Sequence, residues 1–113
     1  MVDAITSALS GLNVQKLRVS TAATNIANVS TGSPLTSGDT PESAAVYKPL
    51  TVQIESQPGG TVAGNVVEKE GADGVDLAEE AITVMDARTN FKANLAVIKT
   101  QDEMTKDLLD ILA

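Results

Sequence analysis

Apolar residues recur at alternating spacings of three and four along residues 4–29. This rhythm predicts a helix with one apolar seam, which can pair with another helix in coiled-coil fashion. Asp3 is the predicted N-cap, because a side-chain oxygen there can accept the free N–H groups of the first turn. The seam includes one polar residue, Gln15, and otherwise consists of Ile5, Ala8, Leu12, Val19, Ala22, Ile26 and Val29.

A second helical pattern covers residues 77–112. Asp76, with Glu79 three residues later, resembles the capping box that begins many helices. No Gly or Pro follows Gly74, so no helix-breaking residue interrupts the pattern. The predicted stripe is interrupted at Arg88 and skips at Gln101, and it consists of Leu77, Ala81, Val84, Phe91, Leu95, Ile98, Met104, Leu108 and Ile111.

The middle of the chain does not show the helical spacing of the two ends. Residues 30–45 are rich in Ser, Thr, Gly and Pro and are predicted to form a loop. In residues 46–69 apolar and polar side chains alternate on both sides of a turn signal at residues 57–60, which predicts a β-hairpin. An isolated hairpin is marginally stable in water, so this one must pack against a helix or a neighbour.

These patterns predict a mainly α fold with a small β-hairpin insert. The long N-terminal and C-terminal helices would pair as a coiled-coil-like hairpin, because neither can bury its seam alone. We treat residues 1–113 as one unit with four parts, namely 4–29, 30–45, 46–69 and 77–112.

Composition narrows the possible functions. One Phe, one Tyr and no Trp leave a thin core of small and aliphatic side chains, so we expect a monomer that gains stability by assembling. The net charge of −7 argues against binding nucleic acid, which requires a basic surface. No stretch is long and apolar enough to cross a bilayer, and the N-terminus lacks the features of a cleavable signal peptide.

The chain contains neither Cys nor His, which removes the common zinc, haem and iron–sulfur ligands and the usual catalytic nucleophiles. Glu79 and Glu80 are adjacent on a helix and therefore point about 100° apart, so they cannot easily converge on a metal or a substrate. We therefore expect a protein that is not an enzyme, with no cofactor, metal or small-molecule substrate.

Two segments resemble the bacterial flagellar basal-body rod family. Near the N-terminus, residues 8–12 are followed by a run of small residues and then by Asn25-Ile26-Ala27-Asn28, which is similar to the family's signature. Near the C-terminus, residues 75–80 resemble the entry to the family's last helix. Residues 91–94, followed by Val97, Thr100 and Met104, are most similar to the proximal rod branch, and both ends match in the family's order.

The resemblance implies a structural subunit that self-assembles helically into the axial shaft and serves motility. In the family the terminal helices form an inner coiled-coil layer. The resemblance also implies export through the flagellar type III apparatus without signal cleavage, and location in the basal body within the periplasm. The implied partners are other rod proteins and copies of the chain itself. The rival interpretation is a helical-hairpin adaptor or export chaperone that binds one discrete protein partner.

Subunit contacts are expected on both helices. Asn25 and Asn28 can be interpreted as bonding to adjacent subunits or as terminating the first helix, since Asn side chains compete for backbone hydrogen bonds. Both interpretations can hold together. The expected interface residues are Leu12, Val19, Asn25, Ile26, Asn28, Phe91, Asn94, Leu95, Ile98, Met104 and Leu108.

Overall fold

A computed structural model describes residues 2–31, 47–72 and 74–113. Its elements are helix α1 (Val2–Ala27), strands β1 (Leu50–Gln57) and β2 (Thr61–Glu68), and helix α2 (Leu77–Leu112). The predicted fold class, two long helices with a small β-hairpin between them, is confirmed. The predicted loop at 30–45 lies outside the described residues apart from its first two positions.

The ends of α1 differ from the prediction. The helix begins at Val2, so Asp3 lies within the first turn and the prediction that it is the N-cap was wrong. The helix ends at Ala27 rather than at residue 29, and residues 28–31 form a turn. At this end the Asn28 side chain donates to Thr24 O at 2.8 Å, beside the backbone N–H of Asn28, which donates to the same oxygen at 3.2 Å.

The start of α2 matches the sequence pattern. The Asp76 side chain accepts from the backbone N–H groups of Ala78 and Glu79, as an N-cap does. The reciprocal half of the capping box does not form with Asp76, because the Glu79 carboxylate pairs with Lys69 instead. This ion pair ties the end of the hairpin segment to the first turn of α2.

The two helices run antiparallel and side by side. Asn25 contacts Glu80, Arg18 pairs with Asp86 at 3.1 Å, and Gly11 lies against Asn94. The residue numbers of the contacts therefore fall along α1 as they rise along α2. Because α2 has 36 residues and α1 has 26, α2 extends beyond the N-terminal end of α1. The molecule is elongated, measuring 78 × 25 × 17 Å.

The β-hairpin packs along α1. Its strands pair antiparallel, and the turn between them uses Gly59 and Gly60 at positive φ, which confirms the turn predicted there. At the turn end of the hairpin, Val62 N–H donates to Ser10 Oγ at 3.1 Å. Midway, a Cβ atom at Gly64 would lie 3.1 Å from Leu17 Cδ2, so glycine lets the strand approach the helix closely.

The core is thin and built from small side chains, as the composition indicated. Among the described residues the buried apolar side chains are Ala8, Val14, Ala22, Pro49 and Ala87. Four polar residues are buried beside them, namely Gln15, Thr21, Asn25 and Glu80.

Candidate assembly surface

Asn25 is the centre of a buried hydrogen-bond network that joins three elements. Its side chain is fully buried, and its Nδ2 donates to Leu50 O and to Glu80 Oε1, each at 2.8 Å. Its Oδ1 accepts from Leu50 N–H at 2.8 Å and from Tyr47 Oη at 2.7 Å. The first Asn of the signature therefore connects α1 to the open end of the hairpin and to the first turns of α2.

Tyr47 borders this network and is half-buried. Burial, followed by the negative charge of Glu80, raises the pKa of the Tyr47 hydroxyl above its ordinary value. The hydroxyl therefore keeps its proton, and with it the hydrogen bond to Asn25 Oδ1, to a higher pH than in an unfolded chain.

Asn28, the second Asn of the signature, has a different environment. It lies in the turn that follows α1, and its exposed hydrogen bonds are local, to Thr24 O and with the hydroxyl of Thr31. Asn28 thus lies just after the end of α1 and Asn25 lies inside the helix, so the helix-terminating interpretation fits Asn28 and not Asn25. Contacts of Asn25 or Asn28 with another subunit remain a prediction.

The face of α2 that contacts α1 is rotated from the predicted apolar stripe. Buried Glu80 and Ala87 and half-buried Asn94 lie on the packed face, together with half-buried Gln101. With 100° of rotation per residue, this face lies roughly a quarter turn from the stripe centred on Leu95. The stripe is therefore only partly covered by α1, although it carries most of the large apolar side chains of the helix.

The expected interface residues include both half-buried and exposed side chains. Leu12, Asn94 and Ile98 are half-buried between the helices. The other six apolar residues of the expected interface are exposed. The exposed fractions of their side chains are Val19 38%, Ile26 39%, Phe91 39%, Leu95 50%, Met104 47% and Leu108 44%. The described part of the chain thus leaves 38–50% of the surface of each of these six side chains open to other molecules.

An apolar groove of about 500 Å³ opens between the two helices on this side. Val19 and Phe91 form its exposed walls and Ala87 lies at its base, fully buried. We call it the Phe91 groove, and its lining consists of Gln15, Lys16, Val19, Ser20, Val84, Ala87, Arg88 and Phe91. The sequence analysis included Val19 and Phe91 as interface residues and noted Arg88 as an interruption of the stripe. It missed Lys16, because no helical period distinguishes that residue from other surface charges.

A smaller, polar cleft of about 260 Å³ lies between α1, β1 and the start of α2. Glu79 and Glu80 both line it, but Glu79 pairs with Lys69 while Glu80 is buried against Asn25. The two carboxylates are thus committed to different structural partners, as their adjacent positions on a helix indicated. Within residues 2–31, 47–72 and 74–113, no cluster of three potential metal-binding side chains occurs, and no helix could span a membrane.

These features define an elongated, helix-paired protein with an exposed apolar surface, a form suited to building assemblies. Residues 72–111 match the family described as Flagellar basal body rod FlgEFG protein C-terminal. The matched segment includes nearly all of α2. No curated protein sequence matches the chain.

The match covers about a third of the chain, and it supports the resemblance to flagellar basal body rod proteins seen in the sequence. This family is structural rather than enzymatic. The match therefore supports a structural role in the flagellar basal body rod.

Proposed function

We propose that this chain is a self-assembling subunit of the proximal rod, most like the protein FlgC, and that it transmits torque through packed terminal helices. The exposed apolar stripe of α2 carries this proposal. Phe91, Leu95 and Leu108 are each 39–50% exposed in the isolated chain, although they lie on a helix that is already paired. Their burial in an assembly would add stability to a subunit whose own core is thin.

The expected interface extends across both helices. It comprises Leu12, Val19, Asn25, Ile26, Asn28, Phe91, Asn94, Leu95, Ile98, Met104 and Leu108. Asn25 is fully buried in the isolated chain, so a contact of its side chain with a neighbour requires its hydrogen-bond network to open. Rotation of the shaft requires interfaces that do not slip, and rigid helices packed side by side can carry such a load without any chemistry. The stiffness of an uninterrupted 36-residue helix supports this role.

The route to the rod is part of the same proposal. The resemblance to the family supports export through the flagellar type III apparatus without cleavage of a signal peptide. It also supports location in the periplasmic section of the basal body and contacts with copies of this chain and with other rod proteins.

The test compares two single substitutions on neighbouring positions of α2. Leu95→Asp places a charge in the stripe, whereas Ala96→Asp places it roughly 100° away around the helix. Both side chains are exposed in the isolated chain, so both variants are expected to fold with unchanged helicity. Leu95→Asp should be missing from isolated basal bodies and abolish swimming, and Ala96→Asp should affect neither as strongly. Normal rods and swimming with Leu95→Asp would refute the proposal.

A further inference from the structure

The distribution of unpaired charge points to a specific contact between copies. Five of the eight Lys and Arg side chains form ion pairs within the chain, namely Arg18, Lys48, Lys69, Lys99 and Lys106. The remaining three, Lys16, Arg88 and Lys92, have no ion pair among the described residues. Lys16 and Arg88 line the Phe91 groove, and Lys92 follows Arg88 by four residues on the same side of α2.

A complementary surface occurs on the part of α2 that extends past α1, residues 103–112, which we call the α2 extension. Every residue in it is exposed. Its apolar side chains include Leu108, Leu109, Ile111 and Leu112, which are 44%, 62%, 79% and 82% exposed. Asp107 and Asp110 have no ion pair within the described ranges and, being three residues apart, lie on neighbouring positions of one flank.

The α2 extension cannot reach the Phe91 groove of its own molecule. Ala87 at the base of the groove and Leu108 in the extension belong to the same helix, and 21 residues at 1.5 Å each hold them about 31 Å apart. No Gly or Pro interrupts the helix between them. A contact between these two surfaces must therefore join two molecules.

We propose that the α2 extension of one copy docks in the Phe91 groove of a second copy of this chain, an inference that rests on the proposed function. The leucine and isoleucine side chains enter the apolar groove. Asp107 and Asp110 face Arg88 and Lys92 at its rim. Because the two contacting surfaces differ, the contact is heterologous, and its repetition propagates a ring or a helical array.

The contact can be tested by disulfide crosslinking, since the chain has no Cys of its own. Ser20→Cys places a thiol in the groove, and Leu109→Cys places one on the α2 extension. The two single variants are produced together, and crosslinked dimers are measured both in purified protein and in isolated basal bodies. The matched control pairs Ser20→Cys with Glu55→Cys, an exposed position on the hairpin.

We expect the Ser20→Cys and Leu109→Cys pair to crosslink and the control pair not to do so. Adding Arg88→Glu to both chains should lower the crosslinked yield about tenfold, because it replaces attraction by repulsion at the rim. Adding Asp107→Arg as well should restore most of the yield. Lys48→Glu, a charge reversal on the hairpin, should leave it unchanged.

Three results would overturn the docking proposal. The first is a crosslinked yield no higher than that of the control pair. The second is a crosslink from position 20 to a different rod protein instead of a second copy. The third is a charge swap that fails to restore the crosslinked yield although helicity is native. Presence of the chain in basal bodies without this crosslink would reject the docking alone. Absence of the chain from basal bodies would instead reject the proposed function.

Discussion

Gly11 lies directly against the side chain of Asn94 across the helix pair. A Cβ atom at position 11 would be 2.8 Å from Asn94 Nδ2 and 2.9 Å from Asn94 Oδ1. Asn94 Nδ2 in turn donates to Asn90 O at 3.0 Å. The glycine, which weakens a helix in isolation, is thus the residue that admits an Asn side chain between α1 and α2.

The first prediction concerns this pair of residues. Gly11→Ala should change the free energy of unfolding little, because a gain in helix propensity of about 1 kcal/mol is offset when Asn94 must rotate and lose its hydrogen bond. In an Asn94→Ala background the same change should stabilise the chain by about 1 kcal/mol. Urea unfolding of the four variants measures the coupling, and equal effects in both backgrounds would contradict the contact.

The second prediction separates the two Asn residues of the signature. Asn25→Ala should lower the free energy of unfolding by about 3 kcal/mol, because it leaves buried Glu80 and the backbone of half-buried Leu50 without these hydrogen bonds. Asn28→Ala should cost less than about 1 kcal/mol, since its bonds are exposed and local. Chemical denaturation at low protein concentration tests both, and equal losses would show that the buried network is not what stabilises this end of the molecule.

The third prediction concerns pH. The pKa of Tyr47 is raised in the folded chain, so folding favours its protonated form. The resulting stabilisation is complete below the unfolded pKa of about 10 and is lost as the pH rises through the folded pKa. Because Tyr47 is the single tyrosine and the chain has no Trp, its ultraviolet absorbance reports the ionisation alone.

Two comparisons complete this test. The ionisation midpoint of the native chain should lie above that of the chain in denaturant, and Tyr47→Phe should remove the corresponding part of the alkaline loss of stability. Asn25→Ala removes the acceptor for the Tyr47 hydroxyl and should alter the midpoint. Identical midpoints in native and denaturing buffer would show that Tyr47 is not engaged as the structure describes.

The fourth prediction concerns the C-terminal end of α2. Deleting residues 105–113 should change the free energy of unfolding by less than about 1 kcal/mol, because these residues are all exposed. The same deletion should abolish assembly into rods, measured by recovery of the chain in isolated basal bodies. A full-length variant with Leu108→Ser and Ile111→Ser should show the same defect, which would assign it to apolar contact rather than to length. Normal rods from the shortened chain would refute the role given to this segment.

The elements of this protein were determined by patterns that act over a few residues. Alternating spacings, the Asp76 cap and the Pro58-Gly59-Gly60 turn each depend on local backbone and side-chain geometry, which is why the two helices and the hairpin could be predicted to within a few residues. The N-terminal boundary failed because Asp3 can act either as a cap or as a first-turn acid, and both uses favour a helix start.

Tertiary structure alone decided which faces meet. The predicted stripe of α2 follows the largest apolar side chains, but the face that packs on α1 uses small or polar residues such as Ala87 and Asn94, the latter fitting in the space that Gly11 leaves on α1. The hydrogen-bond partners of Asn25 come from the segment that enters β1 and from the start of α2, and no periodic signal joins positions so distant in the chain. The sequence pattern therefore determined the position and length of each helix. The packing of α1 on α2 determined which apolar residues stay exposed for other molecules to cover.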